Sequence, residues 1–91
     1  MDLAGSVEIF SHSADYRVLT GQVQTWRQTW KLRYADYGTT DPYGGSVVLT
    51  GSQVHALTDG CRVRVEGRLI PPVDRTAPAR FEIQSVQIIG R

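Results

Sequence analysis

From Gly60 to Ile70 apolar and polar side chains alternate: Cys61, Val63, Val65 and Leu69 fall on one parity, Arg62, Arg64, Glu66 and Arg68 on the other. A period of two marks a strand with one buried and one wet face. Asp59-Gly60 before the run and Pro71-Pro72 after it set its ends, because glycine accepts positive φ and proline cannot donate to a ladder. The same alternation recurs elsewhere. Residues 17–26 place Leu19, Gly21 and Val23 on one face, and an inward glycine lets a strand bend or another backbone approach. Residues 29–36 put Trp30, Leu32 and Tyr34 on one side and Thr29, Lys31, Arg33 and Ala35 on the other. Only Arg27-Gln28 separates these two runs, which predicts an antiparallel hairpin. Residues 46–50 supply a third strand with Val47 and Leu49 inward. Residues 80–89 supply a fifth, in which Phe81 and Ile83 point inward before the parity shifts to Val86 and Ile88. That shift predicts a bulge near Ser85.

Between the strands, residues 37–45 read as a loop whose Asp41-Pro42-Tyr43-Gly44 has the residue order of a type I turn. Ser52 is placed to cap a short helix over 53–57, with Val54 and Leu57 on one face. Residues 71–79 form a long loop stiffened by proline. Residues 1–16 read as a polar arm. Within it Val7-Glu8-Ile9-Phe10 either frays or forms a short strand on a sheet edge or on a second copy of the chain. The organisation is therefore an arm, 1–16, followed by one domain, 17–91, as expected for a chain of 91 residues.

Charge narrows the partners only a little. Ten basic residues stand against nine acidic ones, so a basic patch must come from segregation and not from excess. Nine of the ten are arginine, which suits planar and stacked contacts, although high genomic GC content yields the same bias. The single Cys61 cannot form an intramolecular disulfide, and no apolar run has signal-peptide or membrane-span length. The expectation is a cytoplasmic protein with no membrane partner, a monomer or simple homo-oligomer.

Five strands, with one short helix between the third and fourth, resemble the OB-fold, an all-β five-stranded Greek-key barrel. The resemblance covers about residues 17–89. It rests on Leu19-Thr20-Gly21-Gln22-Val23 as a glycine-bent first strand and on Asp59-Gly60-Cys61-Arg62-Val63-Arg64-Val65-Glu66-Gly67-Arg68-Leu69, a fourth strand entered by a DG turn and interrupted by glycine. It implies a binding surface on the second and third strands, flanked by the loops at 26–30 and 71–79. OB domains hold single strands with a positive groove and aromatic platforms. On that model Arg27, Lys31, Arg33 and Arg75 supply charge, and Trp26, Tyr37 and Tyr43 supply platforms. Trp30 shares its face with Leu32 and reads as core. Arg62, Arg64 and Arg68 read as a solvated row interrupted by Glu66.

Catalysis has little to stand on. His12, His55 and Cys61 are too scattered for a metal motif, and Cys61 lies on the inward parity. Asp36 and Asp41 alone make a poor calcium site. The sequence thus predicts a non-enzymatic binding module without cofactor or metal. Its partner is single-stranded nucleic acid or, alternatively, a protein.

Overall fold

The computed structural model describes residues 10–36, 38, 40–74 and 76–90. Its strands are β1 (Ser11–His12), β2 (Val18–Trp26), β3 (Thr29–Arg33), β4 (Ser46–Thr50), β5 (Arg62–Ile70) and β6 (Arg80–Gly90). They form one sheet in the order β1-β2-β3-β4-β6-β5, and β2 pairs with β5 as well, so β2, β3, β4, β6 and β5 form a closed ring. Every pairing is antiparallel except β4 with β6, which is parallel. The expected all-β chain is what forms. β1 lies outside the ring on β2, with Ser11 opposite Thr20 and His12 opposite Leu19. The short strand expected at 7–10 falls outside the described residues, apart from Phe10.

Alternation places the core inside the ring. Leu19, Val23, Leu32, Val47, Val63, Val65 and Phe81 are completely buried, each on the parity that the sequence pattern assigns inward. Burying a side chain of this kind contributes roughly 1.5–3 kcal/mol. Two glycines let the strands cross closely. A Cβ on Gly21 would lie 1.9 Å from the Arg33 carbonyl oxygen, and one on Gly67 would lie 1.9 Å from that of Glu82. At Gly67 the β5–β6 register slips: Glu66 faces Ser85 but Gly67 faces Ile83, leaving Gln84 as the extra residue of a bulge next to the predicted position. A second slip between Arg62 and Val63 leaves Ile89 unpaired.

Several expectations need correction. The helix is a 3-10 turn over Ser52–Ala56, preceded by Gly51 at φ 117° and without a side-chain cap, so Ser52 does not cap it. So short a segment recovers few hydrogen bonds for the dihedrals that an α-helical nucleus fixes, though Val54 and Leu57 are buried as expected. β3 stops at Arg33, three residues early. The Tyr34 amide still donates to the Gly45 carbonyl (2.9 Å), after which the chain turns and buries Ala35, assigned outward from the sequence. Trp30 is only half-buried; its Nε1 donates to the Leu57 carbonyl (3.2 Å) and its ring meets His55 edge-on. Ile88, expected inward, is 57% exposed, because β6 runs on past its last pairing with β4 at Glu82.

Candidate nucleic-acid interface

The hairpin joining β2 and β3 turns through Arg27 and Gln28, both at positive φ (50° and 64°). Consecutive left-handed residues make the I′ geometry that follows the twist of a two-residue hairpin. The tip is braced at its base, where the Thr25 amide donates to Asp59 Oδ1 (2.7 Å) in the Asp59-Gly60 turn. Trp26, the last residue of β2, is 69% exposed, and the Arg27 guanidinium lies 5.2 Å from its ring centroid. The tryptophan is thus presented to solvent with a cation already over one face.

From this tip the outer faces of β3 and β4 run toward β6, and the register orders their side chains into rows. Gln24 pairs with Lys31, Lys31 with Val48, and Val48 across the parallel ladder with Arg80. Strands lie about 4.8 Å apart, so the backbones of Lys31 and Arg80 stand roughly 10 Å apart with Val48 between them. Neither cation has a side-chain hydrogen bond or ion pair among the described residues. Glu82, the next outward residue on β6, pairs with Arg68 of β5 and with Thr50 of β4. Beside the row opens a cleft of about 350 Å³, lined by Val48, Pro71, Pro72, Val73, Pro78 and Arg80. The loop that walls it is held in shape by Asp74, whose Oδ1 accepts from the Thr76 hydroxyl (2.7 Å) and from the amides of Thr76 (2.8 Å) and Ala77 (3.0 Å). These bonds, the hydroxyl's first, hold the Asp74 carboxyl below its ordinary range. The loop returns to the sheet where the Val48 amide donates to the Ala79 carbonyl (2.9 Å).

The other sequence-derived candidates have different surroundings. Arg33 is half-buried in the next row, between Gln22 and Ser46, and its Nη1 donates to the Ala35 carbonyl (3.2 Å), which ties it to the base of the following loop. Tyr43 is not the open platform expected of it. It is half-buried against the core and packs edge-on to Tyr16 at 5.2 Å, in a cluster where His12 stacks on Tyr16 at 4.2 Å and Tyr34 meets both. At the centre of that cluster Asp41 accepts from the hydroxyls of Tyr16 (3.1 Å) and Tyr34 (2.5 Å) and from the amides of Tyr43 (2.9 Å) and Gly45 (3.0 Å). Tyr37 and Arg75 lie outside the described residues. Sequence reasoning missed Arg80. The inward parity of Phe81 and Ile83 does turn Arg80 outward, but only the pairing of β6 with β4 brings it beside Val48.

The site therefore combines two cations about two strands apart that are unpaired among the described residues, Val48 between them, an apolar cleft beside Val48 and Arg80, and an exposed tryptophan at the hairpin tip. Among the described residues no group of three or more His, Cys, Asp and Glu side chains is placed to hold a metal, and no helix is long and apolar enough to cross a membrane. Comparison with protein-family models, with curated proteins and with solved structures returned no match.

Proposed function

We propose that this chain is an OB-type binding module that holds single-stranded nucleic acid on the outer face of β3 and β4. Topology supports the OB reading. With β2 counted as the first strand, β5-β2-β3-β4 run in the spatial order 4-1-2-3 of a Greek key, and β6 closes the ring. The second and third strands are then β3 and β4, and the flanking loops are the Trp26 tip and the proline loop that walls the cleft.

The observation that carries the functional reading is the Lys31–Val48–Arg80 row. Two cations without side-chain partners among the described residues suit backbone phosphates, and Val48 between them with the apolar cleft beside it suits a sugar or base face. Trp26 at the tip offers a stacking surface of the kind on which single strands are held without strong sequence preference. Fluorescence anisotropy with a labelled oligothymidylate and a labelled oligouridylate tests it. The wild-type protein binds at low salt, and K31A combined with R80A loses most of that binding on both oligonucleotides. Absence of binding by the wild type at low salt removes the reading. The exposed Trp26 then favours the second one, a protein-interaction module, since tryptophan and arginine dominate the energetics of protein interfaces.

A further inference from the structure

The ring leaves some backbone edge without a strand beside it, and these stretches differ in how they are protected. β1 is two residues long. On β5, residues 67–70 run beyond the β2 ladder, but Arg68 projects from them and Pro71-Pro72 ends them. β6 is different. Its ladder to β4 stops at Glu82 while its ladder to β5 continues to Gly90, and the Gln53 side chain reaches only as far as the Gln84 carbonyl (3.3 Å). One backbone edge of residues 85–90 therefore has no strand beside it among the described residues. From Ser85 to Gly90 the chain reads Ser-Val-Gln-Ile-Ile-Gly, with no charge and no proline. Charge and proline are the usual devices by which a sheet edge refuses another strand, and a bulge is a third. The two bulges here fall at either end of the stretch, leaving Ser85, Val86, Gln87 and Ile88 in unbroken register with residues 66 to 63 of β5. Ile88 and Ile89 are 57% and 47% exposed.

We infer that this edge pairs with the same edge of a second copy of the chain, antiparallel about a two-fold axis, so that the sheet of one protomer continues into the other. Charge selects the second copy as occupant. Because the stretch is neutral, its self-pairing sets no like charges opposite each other, and the net charge of +1 adds little repulsion between copies. A charged peptide strand would find no counter-charge on residues 85–90 themselves; the nearest cations, Arg62 and Arg64, belong to the neighbouring β5. Pairing centred on Gln87 brings Ile88 of each copy opposite Val86 of the other and covers the exposed isoleucine. The contact is isologous, so it closes at two copies. Ser85 lies about 17 Å along the strand from Arg80, so the dimer leaves the Lys31–Val48–Arg80 row open. A ladder this short falls below the roughly 1,200–2,000 Å² buried by stable interfaces, which makes the dimer weak and reversible, to be sought at about 1–100 μM.

Sedimentation equilibrium between about 5 and about 500 μM protein tests the inference across that range. The expected result for the wild type is a mass that rises from one copy to two. I88K and Q87E set like charges near each other across the axis and should each weaken the dimer at least about tenfold, with far-UV spectra and melting curves unchanged in dilute solution. Hydrogen exchange on the wild type, which needs no variant, should show the amides of residues 85–90 gaining protection as concentration rises. A wild type that remains a monomer at the highest concentration overturns the inference. So does a dimer that survives both substitutions, or one that forms without added protection in residues 85–90.

Discussion

Asp41 binds three separate segments with one carboxylate: Tyr16 from the turn before β2, Tyr34 from just after β3, and the amides of Tyr43 and Gly45 from its own loop. Burial is the strongest single influence on this carboxyl and raises its pKa, but the four donors together outweigh it and hold the group below its ordinary value. A depressed folded-state pKa contributes stability that is complete above the unfolded carboxylate value of about 3.9 and is lost as pH falls through the folded value. D41N should therefore be less stable than the wild type at neutral pH, and its stability should depend less on acid between neutrality and about pH 3; urea melts at the two ends measure both effects. The Tyr34 hydroxyl shows the opposite sign. Burial, followed by the Asp41 bond, pushes its pKa up, so its contribution holds below the unfolded tyrosine value of about 10 and fades at higher pH. The turn at Asp41-Pro42-Tyr43-Gly44 was legible in the sequence, and the Gly44 amide does donate to the Asp41 carbonyl (3.0 Å). The convergence of Tyr16 and Tyr34 on it was not, because the local residue order says nothing about contacts made by distant side chains. Alternation, by contrast, reads directly into single-residue energetics. V65A should cost about 1–3 kcal/mol, since its side chain is wholly buried, and R64A under about 0.5 kcal/mol, since Arg64 is exposed. Urea melts in which R64A proved the more damaging would reverse the two faces of β5.

At the scale of elements, the hairpin was predicted from the two-residue gap between alternating runs, and its pairing of Trp26 with Thr29 follows from that gap. What the gap did not disclose is that Arg27 and Gln28 both adopt left-handed backbone, where Asn-Gly is the common solution. A left-handed conformation costs an ordinary residue about 1–2 kcal/mol, so the tip is strained. Replacing Arg27-Gln28 by Asn-Gly should stabilise the protein by roughly 1–2 kcal/mol and raise Tm by several degrees in a thermal melt. If the tip serves binding, the same variant should bind an oligonucleotide more weakly, because it loses the guanidinium over Trp26. A stability gain paired with a binding loss marks strain retained for function, whereas a gain in both would make the tip an ordinary turn. The bulge beside Gly67 was legible for a different reason. A change of inward parity within one apolar run has few explanations other than an extra residue, and Gln84 is that residue.

At the scale of the whole molecule, alternation states which side chains point into the ring and leaves open which strands are neighbours. The parallel pairing of β4 with β6 joins residues about thirty positions apart and has no local signal, so the row that it completes could be only partly seen from sequence: Lys31 was named, Arg80 was not. That row yields the most discriminating prediction, because phosphate contact and stacking respond differently to salt. If Arg27, Lys31 and Arg80 each neutralise one phosphate, log affinity should fall with log salt at a slope of about −2, taking roughly −0.7 per phosphate for single strands. Removing Lys31 and Arg80 together should flatten the slope by more than about one unit and weaken all sequences alike. W26A should instead cost about 1–3 kcal/mol of binding while leaving the slope nearly unchanged, since stacking releases no counterions. Arg33 is the internal comparison. Its guanidinium already donates to the Ala35 carbonyl, so R33A should change the slope less than R80A does, although the sequence pattern ranks Arg33 beside Lys31 and passes over Arg80. Anisotropy titrations of the four variants at several salt concentrations separate these effects, and equal slope changes for R33A and R80A would move the phosphate path off the Lys31–Val48–Arg80 row.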